Sequence, residues 1–116
     1  MRKRDLYVKK AQAFAECAIH RLSNSAILIY GSVSRGDFNE WSDIDVLIIT
    51  QEGIPQKPTE RLDVIHDCMK ENPLVEPVII TLDELRKLLA KKNPLVIEAL
   101  EKGMILIDRL GLRDLI

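Results

Sequence analysis

Apolar residues recur along this chain in two rhythms. Over 5–22, Leu6, Ala13, Phe14, Cys17 and Leu22 return at helical spacing with charges between them, which predicts an amphipathic opening helix. The cluster Ser23-Asn24-Ser25 stops it. The run Ala26-Ile27-Leu28-Ile29-Tyr30 is short, branched and ended by Gly31, as a buried strand would be. Residues 31–42 are polar with two glycines and read as a loop or a turn bearing a short helix. A second strand is predicted over 43–50, followed by a loop holding Gly53, Pro55 and Pro58. Residues 59–70 place Leu62, Ile65 and Met69 on one helical face, Pro73 closes that element, and 74–80 reads as a third strand.

Element ends carry their own signals. Thr81-Leu82-Asp83-Glu84 fits a capping box, in which Thr81 and Glu84 satisfy each other's N–H groups, and opens a helix through Leu89. Asn93 and Pro94 start another as N-cap and first position, with Gly103 at its C-terminal end. A fourth short strand follows over 104–107, and 109–116 reads as a tail or fraying turn. Strands interleave with helices, without internal repeats. The expected class is therefore α/β or α+β, a small mixed sheet of about four strands with helices packed mainly on one face. One domain over 1–116 is expected at this length.

Composition narrows the function. Lys and Arg (17) nearly balance Asp and Glu (18), which argues against direct, non-specific nucleic-acid binding. Aromatics at 4% supply few stacking platforms for single strands. No apolar run reaches membrane-spanning length and no signal peptide is visible, so a cytoplasmic protein is expected. Cys17 and Cys68 have neither CxxC nor metal-ligand spacing and read as buried free thiols. The charged stretches 1–10 and 86–92 read as solvated helix faces, and His20 and His66 as helix residues without a companion ligand.

Chemistry concentrates in the middle of the chain. Gly31-Ser32-Val33-Ser34-Arg35-Gly36 follows directly on a buried strand. Glycine permits a sharp turn and close approach to a ligand. If Ser32 opens a helical turn, its hydroxyl and the next N–H groups form an anion site, with Arg35 as a cation one turn along. Asp43 and Asp45 lie two apart on a strand and so share a face, while Ile44, Val46 and Ile48 point into the core. Two adjacent carboxylates repel unless a cation or proton lies between them. Mg²⁺, which takes one or two carboxylates plus phosphate oxygens, suits them. Leu47 and Ile49 share the acids' face, so that face needs a cover, and an exposed apolar patch there would mark a partner surface. Trp41 either packs over the motif loop or contacts a base.

Gly31-Ser32-x-x-Arg35-Gly36 followed by Ser42-Asp43-x-Asp45 resembles the signature of the DNA polymerase beta-like nucleotidyltransferase superfamily. Size, layout and the closing pattern Pro94…Glu98-Ala99-Leu100…Gly103…Leu106-Ile107-Asp108 look like its minimal nucleotidyltransferase branch. The resemblance implies the nucleotidyltransferase fold and transfer of a nucleotide, AMP from ATP, to an acceptor. It implies that Gly31 and Ser32 hold the triphosphate and that Asp43 and Asp45 bind Mg²⁺, with two ions in the working site. The family's third carboxylate, metal ligand and base, is best matched by Glu76, although Glu replaces the commoner Asp and Pro77 follows it, which suits an edge strand or bulge. Members of the minimal branch are often antitoxins paired with a helical HEPN-type toxin, which they can modify with AMP. Such a partner, and a homo-oligomer, are the expected assemblies. The competing expectation is a binding module that neutralises its partner by covering it, with catalysis incidental or lost.

Overall fold

Strand β1 (Ser25–Tyr30) is buried at every position, so both of its faces must be covered and both of its edges paired. The computed structural model describes residues 2–38 and 43–115 and meets both demands. Along the chain come α1 (Lys3–Arg21), β1, α2 (Ser32–Arg35), β2 (Ile44–Thr50) and α3 (Pro58–Arg61). A 3₁₀ turn (Leu62–Ile65), α4 (His66–Glu71), β3 (Val75–Thr81), α5 (Leu82–Ala90), α6 (Pro94–Lys102), β4 (Met104–Asp108) and α7 (Leu112–Leu115) follow. The sheet order is β3-β2-β1-β4. β1 pairs antiparallel with β2 and β4, and β2 pairs parallel with β3. The sheet is mixed and four-stranded, as the periodicity predicts.

Alternation sorts each strand's side chains into two cores. Ile27, Ile29, Ile44, Val46, Ile48, Val75 and Ile79 pack against α1 through Phe14, Ala15 and Ala18, and against Ile65 and Cys68. Ala26, Leu28, Tyr30, Leu47, Ile49 and Ile80 pack against Leu82 and Leu85 of α5, Val96 and Ala99 of α6, and Leu112. Helices thus cover both faces rather than mainly one. This also overturns the expectation that Leu47 and Ile49 mark a partner surface, because both are wholly buried by the chain's own α5 and α6 side.

Local chemistry explains the helix ends. Thr81 Oγ1 accepts from the Glu84 N–H at 3.0 Å, and the Glu84 carboxylate accepts from the Thr81 N–H at 2.8 Å, which completes the capping box. The Asn93 side chain caps α6. Gly103 ends α6 for a reason other than the left-handed turn usual at such glycines, since its φ is −72°. A Cβ there would lie 2.2 Å from the Ala99 carbonyl and 2.8 Å from that of Ile29. Bare backbone lets α6 press onto β1. The 109–116 segment, expected to be a tail or turn, is anchored instead. Asp108 Oδ1 accepts from the N–H groups of Leu110 and Gly111 and Oδ2 from that of Leu112, whose side chain is buried.

Two polar features escaped sequence reading. Arg61 is buried, donating to the carbonyls of Pro55 (2.7 Å) and Ile79 (2.9 Å) and to both Glu84 oxygens (2.8 and 3.0 Å). Its guanidinium holds the Glu84 carboxyl below its ordinary pKa and occupies a main-chain acceptor of the edge strand β3, where Pro77 offers no donor, so the edge is guarded against stray pairing. Cys17 and Cys68 are joined in a disulfide rather than free. α1 and α4 pack on the same sheet face and bring their Cα atoms to 5.6 Å, a separation a disulfide can span. Partners 51 positions apart leave no spacing signal. Among the described residues, no helix is long and apolar enough to cross a membrane.

Candidate active site

The antiparallel and parallel registers around β2 assemble the site. Tyr30 of β1 lies opposite Asp45, and Glu76 of β3 lies opposite Asp45 on the other side. Facing residues of paired strands present their side chains on the same sheet face. Asp43, at the mouth of β2, completes the group. The Glu76 carboxyl is raised above its usual pKa, first by the charge of Asp43, then by partial desolvation, a hydrogen bond with Asp43 and the charge of Asp45. Asp45 is raised by burial first, then by Asp43, with Arg35 opposing and Glu98 adding. The three acids selected from sequence therefore stand together. Glu76 is exposed on the edge strand, so register rather than burial places it.

Gly31 shows why the motif begins with glycine. Its φ of 75° and ψ of −150° fall in a region essentially reserved for glycine, and an added Cβ would sit 2.5 Å from Asp45 Oδ2. The turn passes directly over the carboxylate. Gly31→Ala is expected to cost about 1–3 kcal/mol from backbone strain alone and to displace Asp45. The check is thermal unfolding alongside nucleotide turnover; an alanine variant matching the wild type in both would refute this reading.

α2 starts at Ser32, as the sequence implies, and its first N–H groups lack intrahelical partners by geometry. The Ser32 hydroxyl has no hydrogen-bond partner among the described residues. The helix is held from below by Arg4, whose guanidinium donates to the carbonyls of Val33 and Ser34 at 3.2 Å each. Arg4 is thus a positioning residue, not a merely solvated charge. Arg35 projects from the last turn of α2 and is engaged by Asp37 at 3.0 Å and by Glu98 of α6. Glu98 and Tyr30 are site members that the sequence reading did not assign. Tyr30 is pushed up to about 12 by burial and by Asp45, Glu76 and Glu98, so it stays a neutral O–H donor among carboxylates. Trp41 and Ser42 lie outside the described residues. His20 and His66 are exposed on their helices.

A groove of about 400 Å³ opens beside the acids, lined by Tyr30, Asp45, Glu76, Val78, Leu62 and Met69. A cavity of about 490 Å³ at the far end of β2 and β3, around Thr50, Thr81 and Arg86, holds none of them. Among the described residues, no three His, Cys, Asp or Glu side chains form a ready-made ion cage. The donor chemistry nevertheless fits Mg²⁺. These are hard oxygen ligands, the charge of Asp43 raises the pKa of both Asp45 and Glu76, and Mg²⁺ characteristically completes its shell with water and substrate phosphate rather than protein alone.

Comparison with known proteins shows the family and the fold. The family model described as nucleotidyltransferase domain matches residues 12–107. A Methanocaldococcus jannaschii protein named "putative protein adenylyltransferase" is 34% identical over 55 residues, 46% of this chain and 56% of that protein. The aligned part thus spans about half the length of this curated relative. A crystal structure of a "putative nucleotidyltransferase" from Sulfolobus solfataricus matches with a TM-score of 0.66 at 18% identity, covering 93% of this chain and 86% of the other. At that identity the likeness shows the fold alone.

Proposed function

This chain belongs to the nucleotidyltransferase domain family, and from that premise we propose that it transfers AMP from ATP, with Mg²⁺, to a hydroxyl of a partner protein. The observation that carries the reading is the convergence of Asp43, Asp45 and Glu76 at one end of the sheet beneath the Gly31-Ser32 turn. Asp43 and Asp45 would hold Mg²⁺, which supplies neutralisation of the attacking and leaving oxygens. The helical start at Ser32 and the Arg35 guanidinium receive the β and γ phosphates. The acceptor oxygen attacks the α-phosphorus, its new P–O bond forming as the bond to the bridging oxygen breaks and pyrophosphate departs. Glu76, with its raised pKa, takes the acceptor's proton.

The protein acceptor is supported by the name of the M. jannaschii relative and by the open groove beside Glu76. A helical HEPN-type partner in a toxin–antitoxin pair, in the cytoplasm, is the corresponding biological setting. The rival reading as a covering module loses its main motive, because the apolar face that needed a partner is covered by α5 and α6. Calorimetric titration of ATP is expected to show clearly tighter binding with Mg²⁺ than with EDTA, and labelled AMP should pass to the product of the neighbouring gene. Equal affinities, or none in either condition, would overturn the proposal.

A further inference from the structure

We propose that Glu98 sets the affinity for the nucleotide by competing with its triphosphate for Arg35. This rests on the nucleotidyltransferase reading above and adds a residue and a role to it. Arg35 is the cation one turn beyond the Gly31-Ser32 turn, and Asp45 feels its charge. In the structure that guanidinium is engaged twice, with Nη1 on Glu98 and Nε on Asp37. A guanidinium has five donors in one plane, but those aimed at Glu98 cannot also grip a phosphate.

Glu98 is delivered there by rigid parts. Val96 and Ala99 anchor α6 in the second core, and Gly103 presses the helix end onto the Ile29 carbonyl, one residue before Tyr30. Its carboxylate meets Arg35, and its charge is felt by Asp45 and Tyr30. The pair is weak enough to exchange. Its side chains are 39% and 32% exposed, and such partly solvated ion pairs contribute little. A triphosphate offers more charge and bidentate acceptors, so it can displace Glu98 while losing part of its binding free energy in doing so.

Magnesium-ATP affinity measured by calorimetry on the wild type, Glu98→Gln, Arg35→Ala and the double variant tests this, with thermal melting to confirm folding of each. Glu98→Gln should tighten binding about threefold to fivefold, the exchange value of a half-exposed ion pair. In the Arg35→Ala background the same change should have no effect. Equal tightening in both backgrounds would show general relief of negative charge and overturn the competition, as would unchanged or weakened binding in Glu98→Gln alone. Wild type that binds ATP beside an unresponsive Glu98→Gln refutes only this inference. Absence of binding in both, with both folded, refutes the nucleotidyltransferase reading and this inference with it.

Discussion

Asp45→Asn is expected to lower nucleotide transfer by about 10³-fold or more, since losing a metal contact removes several kcal/mol of charge stabilisation at 1.36 kcal/mol per decade. The same change should leave the metal-free fold as stable as the wild type or slightly more so. In the folded chain Asp45 is held above its ordinary pKa by burial first and by Asp43 next, with Arg35 opposing. A carboxyl raised on folding binds its proton more tightly in the native state, so stability falls as pH rises from the ordinary aspartate value through the raised one. Above that window the ionised Asp45 is a standing penalty, which asparagine removes. Melting in EDTA should therefore favour Asp45→Asn near pH 7, and the advantage should vanish below the ordinary aspartate value, where Asp45 is protonated in both states. A variant that melts well below the wild type at pH 7 without metal would identify Asp45 as a structural residue and remove the basis of the assignment.

The acid pair was legible because its logic is local: Asp43 and Asp45 need only the strand period to share a face. Glu76 was singled out through the family resemblance, and its place opposite Asp45 depends on the β2–β3 register. Gly31 was legible as a tight turn, though its 2.5 Å conflict with Asp45 Oδ2 depends on two strands meeting. Residues reaching across elements were hidden. Arg4 caps a helix some 30 positions away, Glu98 meets Arg35 at a separation of 63, and Arg61 finds Glu84 across 23. Arg4 sits in a charged stretch that reads as a solvated face, Arg61 and Glu98 are polar positions of amphipathic helices, and no period distinguishes such residues from exposed neighbours. The second sheet face failed for a related reason. Helices α5 and α6 each carry an apolar face, Leu82, Leu85 and Leu89 in one and Val96, Ala99 and Leu100 in the other, but that pattern does not say which sheet face they cover, so it does not announce that together they bury Leu47 and Ile49.

The Cys17–Cys68 pair carries the other large expected effect. Closing a loop over a separation of 51 residues removes denatured-state freedom corresponding to about 4 kcal/mol in the chain-entropy account, with measured disulfides commonly delivering about 2–4. For a chain of this size that is a fall in melting temperature of roughly 10–15 °C. Cys17→Ala with Cys68→Ala should therefore melt well below the oxidised wild type, reductant should bring the wild type down towards the variant, and the variant should ignore reductant. Denatured wild type should titrate no free thiol until reduced; two free thiols, or a variant melting with the wild type, would show that the bond contributes nothing. The effect should be on the fold rather than the chemistry. Asn72 Nδ2 donates to the Cys68 carbonyl at 2.9 Å, the Val75 N–H to the Asn72 carbonyl at 3.1 Å, and the Ile44 N–H to the Leu74 carbonyl at 2.8 Å. These bonds and the continuous β2–β3 ladder keep Glu76 opposite Asp45 whenever the sheet is formed, so transfer at temperatures where both proteins are folded should survive loss of the disulfide.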